Sequence, residues 1–174
     1  MARKKSPNDL GLPTVPASRR QPMREFSRSL PMSLLRAREA VMRQFRPSLR
    51  NHGLTEQQWR ILRALTAVEA IEITELARMA FLLGPSLSRI LRDLEARQLI
   101  ERKTAAADQR RAVVSISPKG LKLIEAVAPT SEAIYAEITR RFGARRLSEL
   151  QEMLAALEQS LADMAGADSD DGEE

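Results

Sequence analysis

The sequence predicts a mainly α-helical fold with one small β-hairpin, of the α+β class, on three observations. Apolar residues recur at helical spacing along most of the chain between residues 30 and 164. One stretch breaks that period: Ala112, Val114 and Ile116 alternate with Val113 and Ser115, the rhythm of a half-buried strand. Two helical runs joined only by Gly84-Pro85 stand directly before that hairpin.

The first helix is expected over "LPMSLLRAREAVMRQFRPSLRNHG", with Leu34, Leu35, Val41, Met42, Phe45 and Leu49 on one stripe and Gly53 near its end. Pro47 lacks the amide that bonds back one turn, so a loosened turn is expected there. The second helix, "LTEQQWRILRAL", carries Thr55 and Gln58 at capping-box spacing and buries Ile61, Leu62 and Leu65. Ile71-Glu72-Ile73 suits a short strand, and "TELARMAFLL" a third helix. Pro85 suits the first position of the fourth, "PSLSRILRDLEARQL", which buries Leu87, Ile90, Leu91 and Leu94. "LIERK" and "AVVSIS" are the hairpin strands, with "TAAADQRR" between them as loop. Ser117-Pro118 caps a fifth helix that runs to about Phe142, with Pro129 inside it. The sixth presents Leu147, Leu150, Leu154, Leu157, Leu161 and Met164, spaced alternately by three and four. Such a seam wants another helix against it, from a second copy in a homodimer or from an intramolecular core. Helix, short break, helix, hairpin is the order of a winged helix-turn-helix.

Composition narrows the chemistry. The chain has 174 residues, 43% hydrophobic, enough for a real core without staples. It contains no cysteine, which excludes disulfides, thiolate metal sites and nucleophilic thiols, and one histidine, His52, which argues against a zinc site. No cofactor and no catalytic residues are expected, since neither a Gly-rich phosphate loop nor carboxylates paired with histidine occur. The formal charge of +5 is unevenly spread. Residues 1–29 carry seven Lys/Arg against Asp9 and Glu25, and residues 165–174 carry five acids and no base. Both ends read as disordered tails, basic and acidic respectively, around a folded part over 30–164. The apolar run of a signal peptide is missing after the basic start, and no segment approaches the about 20 apolar residues of a membrane span, so a cytoplasmic protein is expected.

The second helix of a helix-turn-helix enters the major groove, where each base pair shows its own donor and acceptor pattern. Opposite its leucines the fourth helix offers Ser86, Ser88, Arg89 and Arg92. Hydroxyls permit close approach, and a forked guanidinium reads guanine through two hydrogen bonds. An ordinary polar helix face is the alternative, and Asp93, Glu95 and Arg97 suit it equally. Residues 84–119 hold eight Lys/Arg and four acids, with Asp108, Arg110 and Arg111 at the hairpin tip. A solvated turn accounts for those letters alone. In a wing, the arginines reach the neighbouring minor groove while Asp108 orients one of them by a charge-assisted hydrogen bond.

Over roughly 30–164 the sequence resembles the MarR family of bacterial regulators. The family's wing signature, Asp-x-Arg, three residues, Val-x-Leu-Thr, reads here as Asp108, Arg110, Val114, Ile116 and Ser117, and the likeness extends over "LARMAFLLGPSLSRILRDLEARQLIERK". Gln98 stands where the family usually has glycine, which bears on the tightness of the turn after the fourth helix. The resemblance implies a homodimer on a palindromic double-stranded DNA operator, released by a small aromatic acid or phenol, with Arg110 in the minor groove and Ser86, Ser88, Arg89 and Arg92 on the recognition face. It also implies dimerisation helices over 30–53 and 118–164 around a DNA-binding lobe over 54–117, and control of an aromatic-compound catabolic operon, as a repressor.

Candidate effector contacts are Arg38, His52, Trp59 and Arg63. Arg38 interrupts the stripe of the first helix and needs a partner, either a protein acid, water or a ligand carboxylate. Trp59 stands one turn from Arg63, as a cation–π pair or as the aromatic wall of a cleft. His52 ends the first helix, as a cap or as a donor to a phenolic oxygen. A winged-helix dimer serving protein assembly alone, without ligand response, is the other function class; it has no use for arginine at the wing or on the outer face of the fourth helix.

Overall fold

Local sequence signals account for most of the architecture of the computed structural model, which describes residues 25–105 and 108–167. The elements run α1 Leu30–Asn51, α2 Glu56–Leu65, β1 Ile71–Glu72, α3 Ile73–Met79, α4 Gly84–Ala96, β2 Ile100–Ala105, β3 Asp108–Ile116, α5 Pro118–Phe142 and α6 Ala144–Ala167. The chain divides between Ala40 and Val41 into two compact units.

In the first unit a single 3₁₀ turn, Phe26–Arg28, precedes the start of α1, and Arg36 donates to the Ser27 carbonyl at 2.6 Å. Leu30, Leu34 and Leu35 are exposed there.

The second unit holds the rest of the described chain. Its core joins Phe45 and Leu49 of α1 to Leu54, to Ile61, Leu62 and Leu65 of α2, to Ile71, Leu76 and Ala80, to Leu87, Leu91 and Leu94 of α4, to Leu99, Ile100 and Val114 of the sheet, and to Ile124 and Val127 of α5. The three α4 leucines are fully buried, each contributing roughly 1.5–3 kcal/mol to folding. The α2 start is as its spacing predicts: Gln58 N–H donates to Thr55 Oγ1 at 3.2 Å, and Thr55 N–H donates to Gln58 Oε1 at 2.8 Å. Ser117 caps α5, accepting from the Gly120 amide at 3.0 Å.

The sheet is antiparallel in the order β1-β3-β2, with Ile71 opposite Val114 and Ile100 opposite Ile116. Five expectations need correction. Ile73 opens α3 instead of ending the short strand, and Ile90 is half-buried where the α4 leucines are fully buried. The third helix stops at Met79, not Leu83, because Phe81 takes φ 49°. Around it the chain closes a Schellman turn: Phe81 N–H donates to Arg78 O, and Leu82 N–H to Ala77 O. The fourth helix stops at Ala96, not Leu99, for the same reason at Gln98, φ 60°, with Gln98 N–H on Glu95 O and Leu99 N–H on Leu94 O. That residue stands where glycine is favoured, so the turn is as tight as glycine would make it, at a backbone cost. The hairpin is also divided differently from the expectation: Asp108, Arg110 and Arg111 belong to β3, which pairs again at Ala105↔Asp108 after a break in register.

Candidate nucleic-acid interface

The site is assembled on α4, and its aim is set from outside that helix. Gln58, 9% exposed, uses its remaining amide to donate to Asp93 Oδ2 at 2.7 Å, linking the α2 cap to the middle of α4. Arg60 of α2 donates to the Ala80 carbonyl at 2.8 Å, satisfying the end of α3 at the turn into α4. At its far end, α4 meets α5: Ser117 Oγ donates to Gln98 O at 2.7 Å, Lys119 Nζ donates to Arg97 O at 2.8 Å, and Ser117 N–H donates to Leu99 O at 3.1 Å. The middle of the helix and its C-terminal end are therefore fixed by hydrogen bonds to other elements, and the turn before it by Arg60.

Held this way, α4 leaves Ser86, Ser88, Arg89 and Arg92 exposed. Ser86 and Arg89 also line a cavity of about 390 Å³ with Thr55, Gln57, Gln58 and Asp93, so the polar surface continues onto the start of α2. Sequence periodicity cannot find this extension, since α2 and α4 are apposed only in three dimensions. Arg97, three-tenths exposed, pairs with Asp93 at 3.5 Å and stays on the helix flank.

Among the wing residues, β2 and β3 pair from Ile100↔Ile116 to Thr104↔Ala112 and then Ala105↔Asp108. Across that last step β3 takes up Gln109, Arg110 and Arg111 while β2 advances by one residue, an irregularity that places both arginines in a bulge of the strand. The side chains of Asp108, Arg110 and Arg111, and the proposed contact between acid and arginine, lie outside the described residues.

The candidate effector residues divide between the two units, and those of the second do not line one cavity. Arg38, in the first unit, is exposed and pairs with Glu39 at 2.9 Å. In the second unit Arg63 stacks over the half-buried Trp59 ring at 5.9 Å from its centroid. His52 Nδ1 lies 2.9 Å from the Ser48 carbonyl, which can only accept, so Nδ1 carries the proton and closes the end of α1. The cleft beside His52, about 370 Å³, is lined by Arg97, Leu99, Lys119 and Leu123, not by Trp59.

Among the described residues no group of acidic and histidine side chains is placed to hold a metal ion, and no helix is long and apolar enough to cross a membrane. Along α6, Leu150, Met153, Leu154 and Leu161 are exposed.

Residues 52–111 match the MarR family. The chain is similar to the homoprotocatechuate degradative operon repressor of Escherichia coli, 38% identical over 126 residues that cover 72% of this chain and 85% of the relative. Its fold is similar to NadR in complex with 4-hydroxyphenylacetate, with a TM-score of 0.69 and 36% identity over 79% of this chain and 97% of that one. It is similar too to the transcriptional repressor CouR bound to a 23-mer DNA duplex, with a TM-score of 0.71 and 26% identity over 80% of this chain and 99% of that one.

Proposed function

The chain belongs to the MarR family, and on that premise we propose that it is a homodimeric, cytoplasmic transcriptional repressor of an aromatic-compound catabolic operon. It binds a palindromic operator and leaves it when a small aromatic acid or phenol binds. One observation carries the DNA-binding part: α4 buries Leu87, Leu91 and Leu94 and turns Ser86, Ser88, Arg89 and Arg92 to solvent. CouR, a repressor of similar fold, is bound to duplex DNA, and the similar E. coli protein is an operon repressor.

In this reading residues 54–117 form the DNA-binding lobe, 30–53 and 118–164 the dimerisation helices, and 1–29 and 165–174 tails, the second starting within the last turn of α6. The exposed leucines of α6 supply an apolar face for a second copy. A two-fold dimer then presents two α4 helices to major grooves about 34–36 Å apart. Arg110 and Arg111 supply the wing's contact with the neighbouring minor groove, and Asp108 orients one of them. For the effector, the candidate contacts are Arg38 in the first unit as partner of a carboxylate and, in the second, Trp59 beside Arg63 as an aromatic wall and His52 as donor to a phenolic oxygen; NadR, similar in fold, is in complex with 4-hydroxyphenylacetate. The ligand acts only through its differential affinity for DNA-bound and free dimer geometries.

An assembly module without ligand response is less favoured, because it leaves the serine and arginine face of α4 without a role. The test is fluorescence anisotropy with a duplex from the chain's own promoter and an unrelated duplex of equal length, titrated with 4-hydroxyphenylacetate and related acids. Preference for the promoter and release by an aromatic acid are expected; equal binding to both duplexes overturns the proposal.

A further inference from the structure

The turn between α3 and α4 carries a surface that folding does not account for. Within five residues Met79, Phe81 and Leu83 are 45%, 78% and 79% exposed. Phe81 is doubly unfavourable: its backbone is left-handed at φ 49°, where glycine or asparagine is favoured, and its ring lies in solvent instead of the core. Phe81 and Leu83 line one open cavity of about 480 Å³ with Ala77, Arg78 and Leu82. Arg78 is the one charged residue of that lining, and residues 77–92, which include Arg89 and Arg92, contain no acid, so the charge on the cavity itself is positive.

That combination selects the occupant. Leu83 is the residue preceding the first turn of α4, three positions before Ser86, and so continues the proposed recognition face. In a helix-turn-helix the N-terminal end of the second helix meets the base edges. In the major groove the apolar feature of a base edge is the C5-methyl group of thymine. We propose that Leu83 reads a thymine C5-methyl at the operator, with the Phe81 ring closing the other side of the cup that receives it. This rests on the DNA-binding reading and adds a specificity contact that the serines and arginines of α4 cannot make. The deoxyribose of the backbone is a second apolar surface on DNA; unlike the methyl, it is the same at every base.

The experiment uses the full chain and a duplex from its own promoter in which each thymine in turn is replaced by deoxyuridine, which removes only the methyl. Wild type is expected to lose about fourfold in affinity at one symmetry-related pair of positions per methyl removed, the ~0.8 kcal/mol of one buried CH₂-sized group converted at 1.4 kcal/mol per tenfold. Leu83→Ala is expected to bind the unmodified duplex more weakly and to be indifferent to deoxyuridine at that pair. Phe81→Gly is expected to melt at a higher temperature and bind more weakly, a pairing that a purely structural role for the ring does not produce. Promoter-specific wild-type binding that no deoxyuridine changes overturns the inference and leaves the DNA-binding reading standing. A Leu83→Ala protein still sensitive at the same positions assigns the methyl to another residue. A shift of Leu83→Ala from dimer to monomer in sedimentation assigns the surface to a second copy. If wild type prefers no promoter duplex, both the inference and the reading beneath it fail.

Discussion

Gln58 Nε2 donates to Asp93 Oδ2 at 2.7 Å while Gln58 Oε1 accepts from the Thr55 amide at 2.8 Å, so one buried side chain both starts α2 and positions α4. The two jobs are separable by substitution. Glu at this position keeps the acceptor for Thr55 but sets a carboxylate against Asp93. Gln58→Glu is expected to lose about 2–3 kcal/mol of stability at neutral pH. The deficit shrinks on acidification, because a protonated Glu donates again; urea melts at two pH values measure it. A deficit unchanged by acid shows that the donor to Asp93 is not what was lost.

Gly120 lies where α5 passes the end of α4. A Cβ there would stand 2.2 Å from the Leu99 carbonyl oxygen and 2.8 Å from Ile116 Cγ1. The same carbonyl accepts from the Ser117 amide, so it cannot retreat without breaking that bond. Gly120→Ala is expected to cost on the order of 3 kcal/mol, read by thermal melting, although alanine is intrinsically the better helix former.

Gln98 gives the opposite sign. It holds φ 60° with its side chain exposed, so glycine relieves about 1–2 kcal/mol of left-handed strain and returns part of it through the unfolded chain. Gln98→Gly is expected to stabilise the protein by about 0.5–1 kcal/mol without changing DNA affinity. A destabilised variant shows that the glutamine side chain contributes more than its backbone costs.

Glu137 accepts from Arg140 at 2.8 Å and also from Arg141, and these bonds hold its carboxyl down at about 2, well below the ordinary carboxylate value. The folded value is the lower one, so this contribution is complete above the unfolded value near 4.5 and fades as pH falls toward 2. All three side chains are solvent-exposed and screened, so the effect on stability is small. NMR of the Glu137 carboxyl is expected to show the low midpoint, and Arg140→Ala to move it upward.

For the wing, Arg110→Ala is expected to weaken promoter binding by about 1–3 kcal/mol and to reduce the salt slope by about one. Anisotropy titrations at several salt concentrations decide it; an unchanged affinity and slope remove Arg110 from the interface.

Trp59 is the only tryptophan, so its fluorescence reports directly on an aromatic ligand at the Trp59–Arg63 pair. Quenching by 4-hydroxyphenylacetate is expected in wild type and lost in Arg63→Ala. Arg38→Ala, titrated by calorimetry, shows whether Arg38 reaches the ligand or serves its pairing with Glu39.

What the sequence determined by itself was written in short-range patterns. Thr55 with Gln58 and Ser117 with Pro118 announce helix starts because a cap is satisfied within three residues. Leu87, Leu91 and Leu94 announce the inner face of α4, and with it the outer one, because burial of one side at 3.6 residues per turn exposes the other. Tertiary structure alone decided where α3 and α4 stop. Phe81 and Gln98 carry no stop signal, and the left-handed turns persist where Arg60 holds the Ala80 carbonyl and Ser117 the Gln98 carbonyl from elements far along the chain. Tertiary structure likewise placed His52 against the ends of α4 and α5, in a cleft that Trp59 does not line, and joined Thr55 and Gln57 to the surface of Ser86 and Arg89. A residue's own neighbours set its local conformation; which distant carbonyl, carboxylate or ring it meets depends on packing that no single stretch of sequence records.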